Sequence, residues 1–114
     1  MQNCGIINKT KYSMKKVYIA GKVTGEPLQE CRKKFAQIEL RLKEMGMIPI
    51  NPMNLVSADT DWNTAMKICI GQLLTCDFIY LLPDWQLSKG ARIEMILAKL
   101  LQIEILSIAE GNAI

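Results

Sequence analysis

The chain has 114 residues, 50% of them hydrophobic and 22% charged, with a formal net charge of +3 at pH 7. That is enough chain for one domain around one core, too apolar for disorder, and too mildly basic for the dense cationic stripe of a nucleic-acid groove. There is no histidine, which removes Ser-His-Asp and Cys-His catalysis and histidine-bearing zinc sites, and leaves acid–base work to carboxylates, lysine or tyrosine.

Residues 1–16 read as a loosely ordered extension, polar and lysine-containing, without the apolar stretch of a signal peptide. The domain proper is expected over 17–114. Val17-Tyr18-Ile19-Ala20 is a short apolar strand, and Gly21-Lys22-Val23-Thr24-Gly25 is a glycine-bracketed turn. Pro27 suits the first position of a helix. Leu28, Cys31, Phe35, Ile38, Leu42 and Met45 then recur at three- and four-residue steps, an amphipathic helix that Gly46 closes. Met47 to Ile50 reads as a second strand, placed at an edge by Pro49. A polar loop runs from Asn51 to Asp61. Trp62, Ala65, Met66, Cys69, Ile70 and Leu73 mark a second helix. Phe78 to Leu82 is apolar throughout, hence a central strand covered on both faces. Ser88 can cap a third helix running to about Gln102, and Ile103 to Ser107 is a fourth strand. The order βαβαβαβ predicts a three-layer α/β domain of Rossmann or flavodoxin-like type, with a four-stranded parallel sheet in the order 2-1-3-4 and right-handed crossovers.

The four cysteines, Cys4, Cys31, Cys69 and Cys76, include no C-x-x-C pair, so neither a zinc knuckle nor a thioredoxin-type motif is present. Cys31 and Cys69 fall on apolar helix faces and read as reduced core residues, which points to the cytoplasm. The apolar runs are too short for a membrane span.

In a sheet of this order, ligands bind beyond the carboxyl ends of the strands, at the switch point between the first and third. That brings Gly21–Gly25 beside Asp84–Glu94, and Tyr18 and Asp77 are expected to flank the same region. Glu94 reads two ways: as a solvent-facing helical residue, or as a site carboxylate held ionised by the helix dipole. Gly90, one turn earlier, either leaves room above Glu94 or makes a tight helix entry. Asp77 fits a turn as well as a site. The loop Gly21–Gly25 lacks the G-K-[ST] ending of a Walker A motif. It still offers backbone N–H groups to an anion, with Lys22 and Thr24 as side-chain donors, or is simply a solvated loop. Trp85 can stack on a base or sugar, or pack against the third helix. Tyr18 fits the core equally well. Ser88, at a helix N-terminus, occupies a natural anion position.

Val17-Tyr-Ile-Ala-Gly21, Asn51-Pro52, Cys76-Asp77 and Ser88-x-Gly90-x-x-x-Glu94, in this order and spacing, resemble the nucleoside 2-deoxyribosyltransferase-like superfamily, and most closely a small branch common in bacteria and phages. The resemblance spans roughly residues 16 to 107. It implies cleavage of the N-glycosidic bond of 2′-deoxynucleosides or their 5′-monophosphates. Glu94 matches the nucleophile that attacks C1′ to give a covalent glycosyl-enzyme, as retaining glycosidases do. Tyr18 matches the tyrosine that orients it, and Asp77 the aspartate that engages the departing base as proton donor. Water would complete a hydrolase cycle, a second base a transferase cycle. Ser88 stands where the transferases carry an aspartate and the monophosphate N-glycosidases a serine that meets the 5′-phosphate, so the resemblance leans to a nucleotide. Two departures stand against it. Thr24 replaces an arginine of the monophosphate glycosidases, with Lys22 as the available substitute, and Trp85-Gln-Leu replaces a short acidic segment. The resemblance further implies no metal and no cofactor, a nucleotide or nucleoside as ligand, and a homodimer or larger homo-oligomer. Two rivals are a non-catalytic nucleotide-binding or sensing module, and a structural domain whose pocket is filled by Trp85 or another side chain.

Overall fold

The computed structural model describes residues 11–106. Strands β1 (Lys16–Ala20), β2 (Ile48–Ile50), β3 (Phe78–Leu81) and β4 (Glu104–Leu106) alternate with helices α1 (Leu28–Glu44), α2 (Trp62–Leu73) and α3 (Lys89–Leu100). Single 3-10 turns follow β2 at Pro52–Asn54 and β3 at Trp85–Leu87. All four strands run parallel in the order β2-β1-β3-β4, as the sequence predicts. Tyr18 pairs with Ile50 on one side and Ile79 on the other.

The period of two along β1 builds two cores, one on each face. Val17 and Ile19 join Phe35 and Leu42 of α1. Tyr18 and Ala20 join Cys69 and Leu73 of α2 and Ala91 and Ala98 of α3. The sheet is therefore sandwiched, α1 on one face, α2 and α3 on the other. Val17, Ile19, Phe35 and Leu42 are fully inaccessible to solvent, each contributing about 1.5–3 kcal/mol by burial.

Side chains and one glycine set the helix ends. Asp61 accepts the Thr64 N–H at 3.0 Å to start α2, and Ser88 Oγ accepts the Ala91 N–H at 3.0 Å to start α3. At the end of α1, Gly46 adopts φ +85°, a conformation that a β-carbon penalises. Its N–H bonds to Lys43 O at 2.9 Å and the Met47 N–H to Leu42 O at 3.1 Å, the paired C-terminal closure that such a glycine permits.

The packed chain begins earlier than position 17. Tyr12 lies edge-on to Phe78, ring centroids 5.7 Å apart, and joins the α1-side core. One aromatic among lysines gives no periodic signal, so the sequence draws the boundary late. Cys4 and Ser107 lie outside the described residues. Among the described residues no helix is long and apolar enough to cross a membrane. Cys31, Cys69 and Cys76 are buried and free.

Candidate active site

Beyond the carboxyl ends of β1 and β3 the two connecting segments part and leave a cavity of about 510 Å³. This is within the usual range for a small-molecule site. Its floor is a buried polar pair. The Tyr18 hydroxyl donates to Glu94 Oε2 at 2.8 Å, joining residues 76 positions apart. Both are nearly inaccessible, Tyr18 at 1% and Glu94 at 5%, and both line the cavity. Tyr18 alternates onto the α2–α3 face of β1, and Glu94 sits one turn into α3, directed back at the sheet between Ala91 and Ala98.

Burial sets the electrostatics of this pair. It pushes the Glu94 carboxyl up from 4.5 to about 7, against the lowering effect of the Tyr18 hydrogen bond. The helix dipole does not hold Glu94 ionised as the sequence suggests; desolvation outweighs it. Burial, then the facing Glu94 charge, raise the Tyr18 hydroxyl well above 10. Cys69 completes the cluster, its thiol against the Tyr18 hydroxyl and raised by burial. A carboxyl titrating near neutrality beneath an open cavity can act as nucleophile or as proton carrier.

The first loop is held in place from below. Lys34 of α1 donates to Asp84 Oδ2 at 2.7 Å and to the Lys22 carbonyl at 2.8 Å. Asp84 Oδ1 in turn accepts the Lys22 N–H at 3.0 Å. Burial pushes the Asp84 carboxyl up, but the Lys34 and Lys22 hydrogen bonds outweigh it and hold the group below its usual range. Lys22 Nζ turns away to Glu26, 3.1 Å distant, and Lys34 lies 3.6 Å from the same carboxylate. Val23, Thr24, Gly25 and Glu26 are thereby presented to the cavity. Gly21 lets the ends of β1 and β3 close up, since a β-carbon there would overlap Leu82 Cδ1 and lie 2.9 Å from its Cβ. On the far side, Asn51 donates to Glu39 at 3.0 Å and accepts the Met53 N–H at 2.9 Å, which sets Pro52 and Met53 into the wall.

The structure brings Tyr18, Gly21, Thr24, Gly25, Ser88, Gly90 and Glu94 together around the cavity. Gly90 has a packing reason: a β-carbon would sit 2.9 Å from Met66 Sδ, itself a wall residue. Three expected site residues are placed otherwise. Lys22 borders only an adjoining groove. Trp85 packs, half-buried, against the α2–α3 core and lines neither space, so it does not fill the cavity. Asp77 is exposed at the amino end of β3, where it accepts the Lys16 N–H at 2.9 Å. In a parallel sheet that edge lies opposite the cavity, roughly 15 Å away over a strand of this length.

Three wall residues carry no mark in the sequence. Trp62 and Cys69, on one face of α2, read there as core periodicity, yet both line the cavity. Arg32 of α1 also lines it, and among the described residues has no hydrogen-bond or ion-pair partner. Its place in the wall follows only once α1 is docked.

Residues 15–107 match the family model described as a domain of unknown function, DUF4406. The chain belongs to this family. No curated protein matches it. The matched stretch contains every described element from β1 to β4, and with them the Tyr18–Glu94 pair and both loops that flank it.

Proposed function

We propose that this DUF4406 domain binds a 2′-deoxynucleoside 5′-monophosphate or deoxynucleoside in the cavity and cleaves its N-glycosidic bond through Glu94. The observation that carries the reading is the buried Glu94 carboxylate, held by Tyr18 at 2.8 Å on the floor of an otherwise open cavity. A neutral carboxyl becomes an effective nucleophile on losing its proton, and a value about 7 leaves a large ionised fraction at neutral pH. An oxocarbenium-like centre developing at C1′ would favour that ionised form. Glu94 Oε forms a bond to C1′ as the C1′–N bond breaks, and its electron pair leaves with the base. The base takes its proton from solvent, since Asp77 lies at the opposite sheet edge. Water then hydrolyses the glycosyl ester to give 2-deoxyribose or its 5-phosphate, and restores Glu94. In a transferase cycle a second base replaces that water.

The phosphate would lie at the start of α3. Ser88 Oγ accepts from Ala91, which leaves its own proton to donate. Thr24 faces it from the first loop, and Arg32 provides positive charge in the wall. No metal or cofactor enters this scheme. We place the protein in the cytoplasm as a homodimer or larger homo-oligomer. The exposed Ile96, Leu100 and Leu101 at the end of α3 offer apolar area for such pairing.

A second reading is favoured by one observation. Among the described residues the carboxylates lining the cavity are Glu94 and Glu26, and Glu26 is ion-paired to Lys22 and Lys34. A pocket without a dedicated acid for the leaving base suits a nucleotide-binding or sensing module. Chromatography of free base released from a panel of deoxynucleosides and deoxynucleoside 5′-monophosphates separates the two. Release by the native protein supports the glycosidase; thermal stabilisation by a nucleotide without release supports the module; the absence of both overturns both readings.

A further inference from the structure

The main cavity does not end at Ser88. A second groove of about 400 Å³ adjoins it and shares Thr24, Trp62, Ser88 and Gly90 with its wall. Past these shared residues the groove adds Lys22 from the first loop and Lys89 from the first turn of α3. Among the described residues no carboxylate lines it. The nearest acid on the loop, Glu26, borders the main cavity and is neutralised by Lys22 at 3.1 Å and Lys34 at 3.6 Å.

The two cations are held differently. Lys89 Nζ sits 4.7 Å from the centroid of the Trp62 ring, in cation–π range, and that ring belongs to both spaces. The Lys22 backbone is held by Asp84 and Lys34, and its Nζ rests on Glu26 at 3.1 Å, from which it can turn to a bound anion. The backbone N–H groups of Lys89 and Gly90 have no acceptor among the described residues and add donors to the same wall. A single phosphate on Ser88 and Thr24 would occupy the shared wall and leave Lys89 beyond it without an anion among the described residues.

We propose that the groove is a subsite for a second phosphate, so that the ligand is a deoxynucleoside di- or triphosphate. This rests on the nucleotide reading above and extends it. The chain of phosphates would run from Ser88 outward between Lys22 and Lys89, with Lys22 exchanging Glu26 for the ligand. One half-buried lysine, Lys22, and one exposed lysine, Lys89, acting on added charge support a preference on the order of tenfold over the monophosphate.

The test is isothermal calorimetry on the native chain with the mono-, di- and triphosphate of each deoxynucleoside, and with inorganic tripolyphosphate. Lys89→Gln is measured alongside, with circular dichroism to establish that it folds. The expected result is tighter binding of the di- or triphosphate by about tenfold, weaker binding of tripolyphosphate, and a narrowed gap in Lys89→Gln. Equal affinity for mono- and triphosphate overturns the proposal and leaves the nucleotide reading intact. So does a gap that Lys89→Gln does not change, or tripolyphosphate binding as tightly as the nucleotide. If no mono-, di- or triphosphate binds, the nucleotide reading fails and takes the subsite with it.

Discussion

Replacing Glu94 by Gln should make the protein more stable at neutral and alkaline pH while removing its chemistry. The cause is the cost of an ionised carboxylate on the cavity floor. Burial moves Glu94 from 4.5 to about 7, so the folded chain binds this proton more tightly than the unfolded chain does. Stability therefore falls as pH rises from about 4.5 to about 7, and is level above that. At 1.36 kcal/mol per pH unit the full effect is about 3 kcal/mol. Gln is close in shape to the protonated acid and its carbonyl oxygen can still accept from Tyr18. The gain should thus be near zero at pH 4 and reach about 2–3 kcal/mol at pH 8, allowing for some water reaching Glu94 through the cavity. Urea unfolding of both proteins at pH 4, 6 and 8, read by circular dichroism, measures this directly. A constant difference across pH, or a Glu94→Gln variant less stable at pH 8, would refute the claim that Glu94 is a desolvated carboxyl.

Other outcomes follow from the same geometry. Tyr18→Phe removes the hydrogen bond that lowers the Glu94 carboxyl; the rising limb of the pH–rate profile, centred near pH 7 in the native protein, should move to higher pH, read by base release between pH 5 and 9. Asp77→Asn keeps an acceptor for the Lys16 N–H and lies at the far sheet edge, so turnover and nucleotide affinity should change less than twofold by release assay and calorimetry. Lys34→Met unties the first loop from Asp84 and from the Lys22 carbonyl; it should cost about 1–3 kcal/mol in urea unfolding and weaken nucleotide binding, whereas an unchanged affinity would show the loop to be held without it.

Much of this was readable along the chain because the signals are local. The apolar run at Phe78–Leu82, the three- and four-residue steps from Leu28 to Met45, and the Ser88 and Gly46 end signals each depend on neighbours within a turn or two. Glu94 reads along the chain either as a solvent-facing residue or as a site carboxylate, and strand order alone brings β1 and β3 side by side. What was hidden depends on how distant segments dock. Arg32 enters the cavity wall only once α1 is docked on the sheet. Trp62 and Cys69 carry the spacing of core residues, and nothing in that spacing separates a core wall from a cavity wall. Asp77 was misplaced for another reason: its motif suggested a role at the site, but a residue preceding a parallel strand belongs to the opposite edge from one following it. Trp85 packs against the α2–α3 core, whose Cys69 and Leu73 lie far from it in sequence.

The central claim is that the Glu94 carboxylate bonds to C1′ of a deoxyribosyl group. Acid-quenched mixtures of the native protein with each deoxynucleoside 5′-mono-, di- and triphosphate, digested and read by mass spectrometry, test it most directly. The account predicts a deoxyribosyl phosphate adduct on the peptide bearing Glu94, formed as free base appears, and absent from Glu94→Gln. Base release with undiminished rate in Glu94→Gln, or an adduct carried by any other residue, would contradict it.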